Sequence, residues 1–314
     1  MDYVIGSFNI RNFSGDGQQY IYGKGGTKYY LGDRYFNDIA KIIKEEGFNI
    51  VALQEVMDGR AVETLKHSLN IMGRQKWRSS FAMPDFRRDA VTESEDTESE
   101  NMHLGFAFLW DTDKFNLHKD ISENEVMPSI YHATGSVKFK RSPFYGRFVP
   151  KNLPKTELRL INVHSKSGGH GQTHDEFKST AGKIYSDLCI SGDGGNMSVY
   201  TIILGDYNLS AAECLKDEKV LAPMFPNYAV TRQDRPTHIK RDNKDNKEYR
   251  YYYQRDLDHC GCGDKHLEGR AELSVKQVDA VSRYMNGSFE DYYKHISDHV
   301  PVRLELTINR ARRG

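Results

Sequence analysis

No stretch of the 314-residue chain approaches the roughly 20 consecutive apolar residues that a membrane-spanning helix needs. A surplus of one charge is missing too: 44 Lys and Arg balance 44 Asp and Glu. A surface for a polyanion must therefore be a local patch or depend on bound cations. Cysteine is scarce, with only Cys189, Cys214, Cys260 and Cys262. The last two, in "DHCGCGDKH" with His259 and His266, suggest a metal knuckle, but C-x-C has no matching second pair, which argues against structural zinc. A bridge from Cys214 to Cys260 or Cys262 needs an oxidising compartment, so free thiols are expected. Met1 leads almost directly into the strand-like "YVIGSFNI", so the expected compartment is the cytoplasm, or the exterior if a leader was removed. No Pro/Ser/Gly-rich linker divides the chain, and a single domain over 1–314 is expected. No Walker-type loop, G-x-S-x-G elbow or H-E-x-x-H motif is present.

What the chain does have is a succession of strand-like runs at 3–9, 49–54, 104–110, 144–149, 158–164, 199–206, 277–283 and 301–307. Several are almost continuously apolar, as in strands covered on both faces. Between them, Phe36, Ile39 and Ile43 repeat at helical spacing within 33–46, with Asp33 as cap and Gly47 as stop. A second helix is expected over 174–190, opened by the T-x-x-E capping box of Thr173 and Glu176. Strands and helices in this order predict a layered α/β domain. Loop insertions are expected near 15–33, 83–102 and 240–256. Within the second, "TESEDTESE" is all polar and reads as solvated chain. The third is charged, then rich in Tyr, and reads as an excursion whose Tyr residues pack on the body, ahead of a nucleic-acid stacking surface.

Polar residues recur where these strands end. Asn9, Arg11 and Asn12 follow the first; Gln54 and Glu55 end the second; Asn162 and His164, then Asp206 and Asn208, end two more. Asp279 interrupts the apolar run 277–283, and Asp298 with His299 precedes the last strand. One strand-terminal Asp or Asn is ordinarily a turn former. Six such placements predict a shared site, because strand ends in layered α/β folds converge on one edge. Glu55 and Asp298 are hard oxygen donors suited to a magnesium ion. His164 and His299 can carry protons near neutral pH. Metal-assisted hydrolysis of a phosphate ester fits this set.

"SFNIRNF", "VALQEV", "INVHSKSG", "ILGDYNLS", "VDAVSRY" and "SDHVPV" run from residue 7 to about 302 in an order and spacing that resemble the endonuclease/exonuclease/phosphatase superfamily, and within it the deoxyribonuclease-I-like nucleases. "GDYN" with "SDHVP" is the most specific part. The resemblance implies a four-layered α/β sandwich, two mixed sheets face to face with helices outside. It implies Glu55, Asp298 and Asn9 at a metal site for Mg2+, with Mn2+ or Ca2+ as alternatives. It implies Asp206 and Asn208 orienting a nucleophile or a second cation, Asp279 paired with His299 beside the attacking water, and His164 on the phosphate. Arg141, in "KRSPFYGRF", matches an Arg-x-Pro of nuclease members and would bind substrate phosphate, with Asn162 and Arg11. One departure stands out: the acid expected to support His164 is not in register in "ENMHLGF", leaving His103 or Glu100 as its partner.

The implied activity is a nicking endonuclease on DNA that leaves 5′-phosphate and 3′-hydroxyl ends, with nucleic acid as partner. The main alternative is a phosphatase of phosphoinositides or other small phosphate esters. Inositol-polyphosphate members continue Gly-Asp-x-Asn with Tyr-Arg, where this chain has Leu209 and Ser210. Lys138, Lys140, Arg141 and Arg147, interleaved with Phe139, Phe144, Tyr145 and Phe148, suit a phosphate backbone better than one headgroup.

Overall fold

The computed structural model describes residues 2–22, 28–84, 104–131, 141–165, 197–216, 228–231, 235–244, 248–263 and 270–309. The strands are β1 (Asp2–Phe13), β2 (Gln18–Tyr22), β3 (Lys28–Asp33), β4 (Ile50–Val56), β5 (Trp77–Ala82), β6 (Gly105–Asp111), β7 (Phe115–Leu117), β8 (Ser129–Ile130), β9 (Phe144–Pro150), β10 (Thr156–His164), β11 (Ser198–Asp206), β12 (Tyr228–Thr231), β13 (His238–Lys244), β14 (Glu248–Arg255), β15 (Asp258–Gly263), β16 (Ala271–Gln277) and β17 (Val302–Ile308). The described helices are α1 (Phe36–Glu45), α2 (Gly59–Met72), α3 (Ala211–Lys216), α4 (Ala280–Tyr284) and α5 (Phe289–His295).

One mixed sheet runs β16-β17-β1-β4-β6-β5 and the other β12-β15-β11-β10-β9-β7, with β8 beside β9. Period-two alternation divides the core. In β4, Ile50 and Ala52 point between the sheets, where they meet Phe108, Leu160 and Ile202. Val51 and Leu53 point the other way, against Ile39 and Ile43 of α1 and Leu65 of α2. A strand sandwiched this way must be apolar on both faces, which is why "IVAL" carries no alternation. The two sheets therefore pack face to face, with helices outside the first.

Three expectations change. Helix α1 begins at Phe36 rather than Asp33, and Tyr35 gives it no side-chain cap. The chain before it is held extended by Arg34, buried and donating to the carbonyls of Ile10, Arg11 and Ile296. The run 277–283 is not a strand: β16 ends at Gln277, and Asp279 caps α4 by accepting from the Ser282 amide at 3.3 Å. The insertions near 15–33 and 240–256 are hairpins, β2–β3 and β13–β14. The expected helix at 174–190 and most of the insertion at 83–102 lie outside the described residues. Cys260 is buried between the sheets, and His259 is held by the Leu209 and Asp256 carbonyls.

Candidate active site

Sheet directions bring one edge of both sheets together. β1 and β4 are parallel, as are β10 and β11, so Asn9, Glu55, His164 and Asp206 all stand at carboxyl ends. β15 and β17 run antiparallel to these neighbours, so their beginnings fall on the same edge. That places Asp258 opposite Asp206 in the ladder and Asp298 and His299 beside them. A cleft of about 400 Å³ results, lined by Glu55, Arg141, His164, Asp206, Asn208, His238 and His299.

The backbone is bent to present these groups. Glu55 lies at φ 60°, where the β1–β4 and β4–β6 registers shift. Such a bulge re-aims a side chain, and a non-glycine residue there must be held by its surroundings. Glu55 accepts from the Asn9 amide at 3.0 Å and from the Asn12 backbone N–H at 3.3 Å. Gly205 precedes Asp206 at φ 144°, and a Cβ there would lie 1.9 Å from the Val163 carbonyl oxygen. Only glycine lets β11 approach β10 so closely. Asn208, at φ 52°, donates to the Ser165 carbonyl at 2.7 Å, and its N–H meets Asp206 at 2.8 Å.

Asn9 also donates to Asp206 Oδ2 at 3.0 Å, so one amide clamps Asp206 and Glu55 together. Its oxygen accepts from the Arg11 N–H at 3.0 Å. Asn9 thus presents its NH2 to the two acids and spends its oxygen on the backbone. Burial, with the like charge of Asp258, pushes the Asp206 carboxyl up to about 7. Carboxylates gathered this closely, hard oxygen donors with a histidine beside them, fit a divalent cation. Asp206, Asp258 and His299 place ligand atoms within 4.8 Å of one another, as do His238, Asp298 and His299.

His299 is the best-supported side chain here. Its Nδ1 is 2.7 Å from Asp258 Oδ2, and its Nε2 is 3.9 Å from Asp206. Asp258 is itself positioned by Thr237, whose hydroxyl accepts the Leu257 and Asp258 amides at 3.1 and 3.2 Å. The His299 N–H donates to Ser297 Oγ, which donates to the Asn9 carbonyl. Burial works against the charge on His299, but Asp258, Asp206 and Asp298 outweigh it and raise its pKa to about 10. His164 Nε2 lies 3.7 Å from both Glu55 and Asp206. Burial, then Arg141 and His299, pushes it well below the ordinary histidine value. Arg141 Nη1 is buried with no hydrogen-bond partner among the described residues. His238, its ring 5.1 Å from that of His299, falls to about 4 because of burial and then His299.

Three expected placements are corrected. Asp279 does not meet His299; it caps α4, and the Tyr253 hydroxyl reaches it at 3.4 Å. The chain has left the sheet by Val278, whose side chain joins the core on the helix side, and Asp279 is not among the residues that line the cleft. Asp258 takes the place beside His299. Arg11 does not line the cleft: it is buried, 3.3 Å from Asp298, bonded to the Tyr293 hydroxyl and stacked on that ring at 4.3 Å. Asn162 lies between the sheets, accepting from Gln54 at 2.7 Å and donating to the Leu53 carbonyl at 2.9 Å. His103 and Glu100, offered as partners of His164, lie outside the described residues, as do Lys138, Phe139 and Lys140. Asp258 and His238 were missed. The signal for Asp258 is "DLDH", an acid opening a run that flanks the Asp206 strand.

No family model and no curated protein matches the sequence. Solved structures match it along nearly all its length. An endonuclease/exonuclease/phosphatase family protein from Bacteroides thetaiotaomicron superposes with a TM-score of 0.59 at 15% identity, covering 98% of this chain and 96% of that one. A mannosyl-6-phosphatase of the same bacterium gives 0.58 at 15% identity, over 98% and 100%. The human Nocturnin catalytic domain with bound sulfate gives 0.58 at 13% identity, over 98% and 94%. The chain has the fold of the endonuclease/exonuclease/phosphatase proteins.

Proposed function

We propose that the protein is a divalent-metal-dependent phosphodiesterase acting on nucleic acid, with DNA cut internally to leave 5′-phosphate and 3′-hydroxyl ends. The observation that carries this is the Asp258–His299 pair opening onto a cleft whose other walls hold Glu55, Asp206, His164 and Arg141. Glu55 and Asp206 would hold a divalent cation, Mg2+ first with Mn2+ or Ca2+ as alternatives, which would supply polarisation of a phosphoryl oxygen and positive charge to offset the acids around His299. Asp258 accepts from His299 Nδ1–H, fixing the tautomer and turning Nε2 toward the cleft. With a cation offsetting the acids that otherwise keep His299 protonated, its Nε2 would take the proton of the attacking water as the P–O3′ bond breaks, and the leaving 3′ oxygen would be protonated from solvent. Asn208 donates to the phosphate or orients that water. Arg141 contributes its unsatisfied guanidinium N–H to a non-bridging oxygen, and His164, of low pKa and neutral, donates from its ring to another.

A phosphomonoesterase is the second reading, favoured by the likeness to a mannosyl-6-phosphatase. Both are tested by one panel: supercoiled plasmid, a single-stranded RNA, a phosphoinositide and mannose 6-phosphate, each with magnesium and with chelator. Magnesium-dependent nicking that stops with chelator is expected. Intact plasmid and RNA, with release of phosphate from either monoester, overturns the nuclease reading.

A further inference from the structure

The hairpin β13–β14 belongs to neither main sheet, yet its base is tied to the catalytic edge. The Ile239 N–H donates to the Asp298 carbonyl at 2.6 Å, and the Val300 N–H to the Thr237 carbonyl at 2.9 Å. One face is anchored to the body. Ile239 is fully buried, Tyr253 packs edge-on against Phe289 at 4.8 Å, and Tyr251 tilts onto Tyr293 at 5.1 Å. Side chains alternate along a strand, so the opposite face carries His238, Lys240 and Asp242 on one strand and Arg250, Tyr252 and Gln254 on the other. His238 and Gln254 already line the cleft. Lys240 pairs across the ladder with Tyr252, and Asp242 with Arg250. The face therefore leaves the cleft wall as a strip of two further rungs, each about 7 Å beyond the last. A small phosphate ester bound at His299 does not extend that far.

Tyr252 is held in place on this strip. Its hydroxyl donates to Asp242 Oδ2 at 2.5 Å, and the Arg250 guanidinium lies 5.5 Å from its ring. Lys240 Nζ sits 2.8 Å from Asp242 Oδ1. An aromatic ring immobilised beside two cations is a platform for a base whose flanking phosphates meet the cations. In a chain of zero net charge such a local cluster is what a polyanion can find. We propose that the outer face of this hairpin binds the nucleic-acid strand that leads away from the scissile phosphate. Tyr252 stacks an unpaired base, and Lys240 and Arg250 contact its phosphates. This rests on the phosphodiesterase reading and narrows its substrate to a strand with unstacked bases.

The full chain is titrated, in chelator, against a fluorescein-labelled 12-nucleotide single-stranded DNA and the matching duplex, and anisotropy is read. Hydrolysis of bis(p-nitrophenyl) phosphate with magnesium is measured separately. The single strand binds more tightly than the duplex. Tyr252→Ala weakens it about tenfold or more, and Tyr252→Phe, which keeps the ring, by much less. Lys240→Ala and Arg250→Ala each reduce the salt slope by about 0.7 unit. All four variants hydrolyse the small diester as the parent does. No binding, a preference for duplex, unchanged binding by Tyr252→Ala, or small-diester turnover that falls in step with binding overturns the proposal. A parent that binds the single strand but shows no magnesium-dependent diester hydrolysis removes the phosphodiesterase reading instead, because binding in chelator does not depend on it.

Discussion

Two histidines face the same carboxylate across one cleft, His164 at 3.7 Å and His299 at 3.9 Å from Asp206, and both are buried. They titrate in opposite directions. His299 rises to about 10, whereas His164 drops well below the ordinary value. Burial lowers both, so it cannot be the cause of the difference. The neighbours are: His299 has Asp258 hydrogen-bonded to Nδ1 and Asp298 next in the chain, whereas His164 has Arg141 nearby. One wall of the cleft is built to hold a proton and the other to stay neutral. Groups pushed apart this way divide the roles of proton carrier and neutral donor between them.

The largest expected effect comes from taking away the acid that sets His299 apart. Asp258→Asn and His299→Ala should each lower kcat by about a hundredfold or more, as loss of a general base does. The double variant should be little worse than His299→Ala, because the pair acts as a unit; losses that multiply in steady-state kinetics would break the contrast. Next, Glu55→Gln should lower the rate and raise the magnesium concentration needed for half-maximal activity, read from a metal titration. It removes a carboxylate shared by Asn9 and the cation site. On the opposite wall, Arg141→Ala should raise KM or Kd for a phosphodiester about tenfold and leave kcat less affected, with a smaller salt slope.

Stability sharpens the same contrast. The folded His299 pKa, about 10, lies above its unfolded value of about 6.5. Its contribution is complete below about 6.5 and is lost as pH rises through 10. Chelated protein should therefore melt at falling temperature from pH 7 to pH 10 in calorimetry, and Asp258→Asn should flatten that slope. The smallest effect is the control. Asp279→Asn should leave kcat/KM within about twofold and cost only tenths of a kcal/mol, since Asn caps helices nearly as well as Asp. A hundredfold loss there would restore Asp279 to the cleft.

What could be read from the sequence follows from how local each signal is. "IVAL" and "LRLINVH" announce doubly covered strands by composition alone, and the strand ends then name Asn9, Glu55, His164 and Asp206. Their convergence needs only the rule that parallel strands share a carboxyl edge. The partner of His299 was not legible that way. Asp258 and Asp279 both sit in short mixed stretches, and only the ladder, which sets Asp258 opposite Asp206, separates them. "QVDAVSRY" has enough β-branched residues to pass for strand, but its Val278 and Val281 share the helix-side core, and Asp279 has the chemistry of a cap. Arg11 misleads for a similar reason: a cation at a strand end looks like a phosphate binder until the half-buried Asp298 beside it is known. Tertiary partners, absent from any local window, decided both.

β1 lies between β4 and β17, and its first residue pairs with the end of the last strand, Thr307 donating to Asp2 across 305 positions. During synthesis β1 can join β4 early, but its other edge has to wait for nearly the whole chain. At 5–20 residues per second that wait is roughly 15–60 s. Asp298 and His299 arrive with the same late segment, just before β17. A nascent chain therefore carries Asn9, Glu55, His164 and Asp206 on the ribosome without the histidine that would set them to work. A chain cut before β17 would leave the β1 edge unpaired and, cut before residue 298, would lack Asp298 and His299 at the cleft.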